Sequence, residues 1–385
     1  MSKAKQTNVD SAAEPVVKAP KQPKIVAPQG SANVPSNIVY GGPTPWHGFG
    51  ASLEPNESVE SAIERAGLNF DVAVGPISYG FEPKGEDESF GDYAARIKAG
   101  GAGNPTQVND YRQALYRTDD GHLLDVVGAG YVPIQNRDIL QMFSEFVKQD
   151  GMRMDTLGNF QHGRKNWALV DMGEGFSVGG NDTVLGKVLF YFPHVYGQGA
   201  VYKTTSIRVV CSNTLQASLR QKSEHSFKIW HNRAFDEAQQ QEAKARLTDI
   251  RKEFLQLKAD AETLAAVKLS LSEAKALTAF VLGDVTSKFE DQVKPVHKVF
   301  DLYTGAGRGS SLPAADGTAW GLLNAVTEYC DWSYGNAKTS QSYRLERSWF
   351  GQGNMDKNKA RKHLMTFADK GMEGLFDVAS APILA

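Results

Sequence analysis

Three pairs of strand-like segments, each closed by a short turn, constrain this chain more than any other feature. Gln113 to Arg117 and His122 to Val127 flank Asp119-Asp-Gly121. Arg153 to Phe160 and Asn166 to Met172 are joined across Gln161-His-Gly-Arg164, and Lys187 to Val195 and Val201 to Cys211 through Gly197-Gln-Gly199. Turns this short reverse the chain at once, so each pair reads as an antiparallel hairpin. Val188-Leu-Phe-Tyr-Phe192 is apolar without a break, as in a strand covered on both faces. Val201 to Cys211 alternates, with Tyr202, Thr204, Ser206 and Arg208 on one side and Thr205, Ile207 and Val209 on the other. That pattern predicts one wet face and one packed face.

Helical spacing accounts for much of the rest. Val59, Ile63 and Ala66 define a short helix, and Ile139, Phe143, Phe146 and Val147 a second whose cap is Asn136. Asn213 with Gln216 reads as a capping-box start for a short helix to about Lys222. Beyond Ala234, Leu247, Ile250, Phe254, Leu257, Ala261 and Leu264 follow a three-four spacing, which predicts one long amphipathic helix within 235–267. Further helices begin at Ser270-Leu-Ser-Glu273 and span Thr318 to Tyr334.

These signals together predict an α+β fold: a central antiparallel sheet built from hairpins with packed helices, followed by a mostly helical C-terminal portion. Residues 1–35 carry five lysines against one Asp and one Glu and no aromatic residue, the composition of a disordered basic tail. Residues 36–233 form the sheet domain, and 234–385 are either a separate helical unit or part of it. The glycine-rich, charged stretch from Glu82 to Asn104 reads as a mobile insertion.

Two cysteines, Cys211 and Cys330, are too few for a disulfide framework and lack the spacing of a zinc site, so both are expected as reduced thiols in a cytoplasm. No apolar run approaches the roughly 20 residues that span a bilayer, so no membrane partner is expected. The net charge of -2 excludes a uniformly basic nucleic-acid coat, so an anionic partner has to meet a local patch.

Such a patch exists. Between Gln198 and Arg233 there are six Lys and Arg residues against one Glu, interleaved with Tyr202, Phe227 and Trp230. Cations that follow phosphates and rings that stack on bases are how single-stranded nucleic acid is commonly held. The candidates are Lys203, Arg208, Arg220, Lys222 and Lys228 for phosphate and Tyr202 and Trp230 for bases. The competing reading places the charges as solvating groups and the rings in the core.

No cofactor, metal site or catalytic constellation emerges. His225 and His231 would share a strand face, but two ligands do not make a site. Gly305-Ala-Gly-Arg-Gly309 lacks the Lys-Ser/Thr ending of a phosphate-binding loop and reads as a connector with Asp316 as the next helix cap. Asp125, Asp171, Glu328 and Glu346 are acids that only the fold could assemble for metal-dependent chemistry.

Thr44-Pro-Trp-His-Gly-Phe-Gly50, Tyr131-Val-Pro-Ile-Gln-Asn136, Arg208-Val-Val-Cys-Ser-Asn-Thr-Leu215, Gly317-Thr-Ala-Trp-Gly-Leu-Leu-Asn-Ala-Val-Thr-Glu-Tyr329 and Glu346-Arg-Ser-Trp-Phe-Gly351 occur in this order. With them the chain resembles the phage/plasmid-like proteins of unknown function carried on bacteriophages, plasmids and laterally transferred islands. The resemblance implies a mobile-element protein in a bacterial cytoplasm and favours work on nucleic acid. It supplies no catalytic residues. The expectation is a protein that binds or anneals single-stranded DNA and self-associates through the 235–267 helix. The alternatives are a metal-dependent enzyme acting on nucleic acid and a modulator of a host protein through Trp320, Trp332 and Trp349.

Overall fold

The structure is a computed structural model that describes residues 37–41, 50–54, 57–80, 82–99, 107–149, 151–209, 213–216, 228–247, 250–336 and 338–380. Its strands are β1 (Ile38–Tyr40), β2 (Ala51–Ser52), β3 (Val72–Tyr79), β4 (Gln107–Arg117), β5 (Leu123–Gly128), β6 (Arg153–Phe160), β7 (Lys165–Val178), β8 (Asp182–Tyr191), β9 (Ala200–Arg208), β10 (Asn213–Gln216) and β11 (Lys228–Ile229). Its helices are α1 (Val59–Arg65), α2 (Phe90–Lys98), α3 (Asn136–Gln149), α4 (Glu237–Leu247), α5 (Ile250–Ala266), α6 (Leu271–Leu282), α7 (Lys294–Asp301), α8 (Ala319–Glu328), α9 (Gln341–Phe350) and α10 (Gln352–Ser380).

All three expected hairpins form: β4 pairs with β5, β6 with β7 and β8 with β9, each antiparallel. The last two share one sheet because β7 also pairs with β8, giving the order β10-β9-β8-β7-β6-β1-β2, with β11 beside β9. The first hairpin belongs to a separate three-stranded sheet, β3-β4-β5.

Both faces of the large sheet are covered. Trp167, Leu169, Leu189, Tyr191, Val201 and Ile207 pack against Leu345 and Trp349 of α9 on one face. Ala168, Val170, Val188, Phe190 and Tyr202 join the larger core with Phe254 and Leu257 of α5 on the other. That larger core draws residues from both sides of residue 233, from Val39 to Leu375. The tail at 1–35 lies outside the described residues.

Several local expectations change. Asn213–Gln216 is a strand, not a helix, because its backbone completes the ladder with Arg208 to Thr205. The expected single helix across 235–267 is two, α4 and α5. Ile250, Phe254, Leu257, Ala261 and Leu264 of α5 are all buried in the core, and Leu255 is the large apolar residue of α5 that faces outward. Within the expected insertion, Ser89 caps α2, and Arg96 binds Glu82 and Glu88, so this part is ordered. Ser270 and Glu273 form the expected capping box of α6, whereas α8 is capped by Thr318 rather than Asp316.

Candidate nucleic-acid interface

The wet face expected for β9 does not exist: every residue from Ala200 to Arg208 is buried, because α5 closes one side and the layer around α9 the other. Three of the sequence candidates therefore sit in the interior. Tyr202 is a core ring beside Phe190.

Arg208, 3% exposed, donates from Nε to both oxygens of Asp182 at 2.7 and 2.8 Å. Its two terminal nitrogens donate to the carbonyls of Arg308 and Gly309 at 3.3 and 3.0 Å. Trp320 Nε1 donates to Asp182 Oδ2 at 2.8 Å, and the Arg308 amide donates to Glu328. A buried charge needs this completeness of partners. The glycine-rich loop at 305–311 is thus an anchor that fastens the helical portion to the sheet.

Lys203 is also 3% exposed, and its ammonium has no hydrogen-bond partner among the described residues. Burial pushes its pKa down to about 8. Arg220, Lys222 and His225 lie outside the described residues, as do Trp46 and His47.

Lys228 and Trp230 have a different setting. Trp230 is 47% exposed and carries the Lys228 ammonium over its ring at 3.6 Å from the centroid. Beside them opens a cavity of about 230 Å³ lined by Gly128, Gly130, Tyr131, Tyr196, Gly197, Gln198, Trp230, His231 and Asn232. Tyr196 is 52% exposed with the Arg112 guanidinium over its ring at 4.6 Å. Tyr111, 83% exposed, is tied to the cavity wall because its carbonyl accepts from the Ala129 amide at 3.2 Å. Neither Lys228 nor Arg112 makes an ion pair among the described residues.

Three chain segments are fastened to make this place. His231 stacks on Tyr131 at 4.8 Å, its Nε2 donates to the Pro193 carbonyl at 3.2 Å, and its own carbonyl accepts from the Val132 amide at 2.9 Å. His194 donates from Nε2 to Asn136 Oδ1 at 2.8 Å, so Asn136 cross-links the core rather than capping α3. Burial pushes His194 down to about 3 and His231 down to about 4, which leaves both neutral near pH 7. Asp125 of β5 accepts from the Tyr196 amide at 2.9 Å and from Arg164 at 3.1 Å. Burial opposes its charge, but these donors hold its carboxyl below the usual range. Gly197, at φ +72°, makes the turn, and a Cβ on Gly199 would lie 2.4 Å from the Ile229 carbonyl, so glycine lets β11 cross close to β9.

The acids proposed for metal chemistry do not converge. Asp125 pairs with Arg164, Asp171 with Lys187 and Arg153, and Glu346 with Lys165, while Glu328 accepts from the Arg308 amide. Among the described residues no group of three or more His, Cys, Asp or Glu is placed to hold a metal ion. Ser348 and Lys357 approach to 2.7 Å and both donate to Asp331, an arrangement that resembles a serine-lysine nucleophile. All three are buried, and the lysine is paired with the aspartate, so the trio joins α9 to α10 instead. Burial also pushes the Cys330 thiol up to about 12, which makes it unreactive.

Sequence reasoning found Lys228 and Trp230 and missed Arg112, Tyr111, Tyr131 and Tyr196. The usable signal was an aromatic beside a glycine turn, Tyr131 after Gly130 and Tyr196 before Gly197. Among the described residues no helix is long and apolar enough to cross a membrane. Compared with curated proteins and with solved structures, the chain matches none. A family model described as a domain of unknown function (DUF932) matches residues 123–349, more than half of the chain and most of the cavity wall, and the protein belongs to that family.

Proposed function

We propose that the protein binds single-stranded nucleic acid, DNA in the first instance, through the surface around Trp230 and Tyr196. One observation carries this reading: two exposed rings, Trp230 and Tyr196, each under a cation that makes no ion pair among the described residues, line one cavity. A cation over a ring is common on protein surfaces. Two such pairs beside a cavity offer the alternation that a strand presents, phosphate then base. The buried positions of Lys203, Arg208 and Tyr202 move the proposed contact off the β9 ladder to the sheet's end.

The resemblance to phage/plasmid-like proteins supports a role on mobile elements in a bacterial cytoplasm, where single strands arise during exchange and repair. Self-association belongs to the same reading, through surfaces other than the buried face of α5.

Titration of fluorescent single-stranded and duplex oligonucleotides at about 50 and about 200 mM salt tests the proposal. Single strands should bind preferentially and more weakly at high salt. Lys228→Ala should lower the salt slope by about one, and Trp230→Ala should weaken binding by about 1–3 kcal/mol. Affinity indifferent to salt and to both substitutions would overturn the reading, and cleavage in magnesium would replace it with the enzymatic one.

A further inference from the structure

One part of the chain is well formed and covered by nothing. No described residue from Ala73 to Ala114 is buried, and α2, which connects β3 to β4, buries none of its own. The segment is nonetheless held in shape. Ser89 caps α2, Arg96 pairs with Glu82 and Glu88, and the Tyr93 hydroxyl donates to the Glu82 carbonyl at 3.2 Å. Phe90 stands out from this knob, 78% exposed. Just before the cap lie Glu86 and Asp87, exposed acids that make no ion pair among the described residues. A ring already fixed in place loses little entropy when a partner buries it.

A second cavity, of about 180 Å³, opens between α6 and α10, with Ala276, Ala279, Phe280, Phe289, Met372 and Phe376 in its walls. An apolar cavity of about 150 Å³ is enough for one benzene ring. Of the three polar side chains that line it, two are committed. Gln292 accepts from the Asp284 amide at 3.0 Å and donates to the Ser287 carbonyl at 3.1 Å, and the Ser287 hydroxyl donates to Asp284 at 2.9 Å. Lys275 is the third. Its ammonium lies 4.6 Å from the centroid of the Phe289 wall ring and makes no ion pair among the described residues. Phe90 is exposed and is not part of this wall, so knob and socket do not meet within one chain. We propose that a second copy of this chain fills the socket: the Phe90 ring of one copy enters between α6 and α10 of the next, and Glu86 and Asp87 approach its Lys275. A ring with free acids on one side and an apolar cavity with an unanswered ammonium on the other match in size and in charge. Because the two surfaces differ, the contact is head-to-tail and repeats into a ring or a filament. It gives the self-association proposed above its two surfaces and does not depend on strand binding.

The test is sedimentation velocity of the 385-residue chain without nucleic acid. Between about 1 and about 200 µM the average mass of wild type should rise past that of a dimer. Phe90→Ala removes the knob at an exposed position and Ala276→Trp fills the socket, and each variant alone should stay monomeric. Lys275→Glu, which leaves the apolar walls in place, should weaken association about tenfold. Mixed in equal amounts, Phe90→Ala and Ala276→Trp should form a one-to-one dimer and nothing larger, because one intact socket then meets one intact knob. Wild type that stays monomeric at about 200 µM overturns the proposal. So does association that neither Phe90→Ala nor Lys275→Glu weakens, or a mixture of variants with unchanged Tm that fails to dimerise. Each of these results leaves strand binding, read by the oligonucleotide titration, standing.

Discussion

Arg208→Ala separates structure from recognition most sharply, because the sequence assigns Arg208 to phosphate and the structure places it in the core. Removing the guanidinium leaves Asp182, itself fully buried, with the Trp320 indole as its remaining side-chain donor among the hydrogen bonds described above. It also strips donors from the Arg308 and Gly309 carbonyls that anchor the 305–311 loop. Breaking a buried pair by deleting one partner costs about 3–5 kcal/mol, since the other charge stays behind uncompensated. Domains are stable by about 5–15 kcal/mol, so the variant should lose roughly a fifth or more of its margin. Urea unfolding followed by tryptophan fluorescence should show the midpoint falling with little change in slope. Asp182→Ala should cost a similar amount. The double variant should cost less than the sum of the two, by about 2 kcal/mol, as expected for residues in one network. A loss under about 1 kcal/mol, with oligonucleotide binding weakened and its salt slope flattened, would refute the reasoning and return Arg208 to the phosphate-binding set.

Lys203→Met should stabilise the protein at pH 7 by roughly 3 kcal/mol. The lysine titrates near 8 when folded against 10.5 ordinarily, so the unfolded chain keeps the proton over that window. Wild type should gain stability as pH rises from about 8 to about 10.5, and Lys203→Met should lack that gain in the same urea experiment. The His194 and His231 pair gives an acid-side prediction. Their folded values, about 3 and about 4, lie below 6.5, so the unfolded chain protonates first and stability is lost as pH falls below about 6.5. Each histidine should contribute a loss of about 2 kcal/mol by pH 5, visible as a lower urea midpoint and absent for that residue in His194→Gln or His231→Gln. Gly199→Ala should displace β11 and so reduce oligonucleotide affinity without removing any group that would touch the strand, which the salt titration would detect as a loss equal at both salt concentrations.

The hairpins were legible because pairing of strands joined by a short connection is a local event: the turn residues and the apolar runs lie side by side in sequence. The cover on β9 was not. Alternation of Tyr202, Thr204, Ser206 and Arg208 with Thr205, Ile207 and Val209 looks amphipathic whether the polar side meets water or meets buried partners. Thr204 donates to the Ile250 carbonyl, 46 positions away, and Arg208 meets Asp182 and the 305–311 loop. Only those distant partners decide the matter. The break between α4 and α5 escaped for a related reason, since the three-four spacing of Leu247, Ile250 and Phe254 continues across it.

The charge excess from Gln198 to Arg233 shows why a count of cations along a sequence overstates a binding surface. A lysine or arginine contributes to recognition in proportion to the charge it leaves unanswered at the surface. Asp182 answers Arg208, and burial isolates Lys203 from any strand. Lys228 differs because its nearest partner is the Trp230 ring, which attracts the cation without neutralising it. Arg112, more than a hundred residues earlier, has the same relation to Tyr196. The site is assembled by a rule that sequence windows cannot express: cations held by rings rather than by carboxylates, brought together by a neutral histidine pair. Protonating that pair would place charge where the fold has no acceptor for it. Acid should therefore abolish strand binding as pH falls through about 4, before it unfolds the sheet, and fluorescence titration against oligonucleotide between pH 7 and about 3, paired with near-ultraviolet circular dichroism, would separate the two transitions. Coincident transitions would mean that His194 and His231 hold up the whole sheet, not the cavity alone.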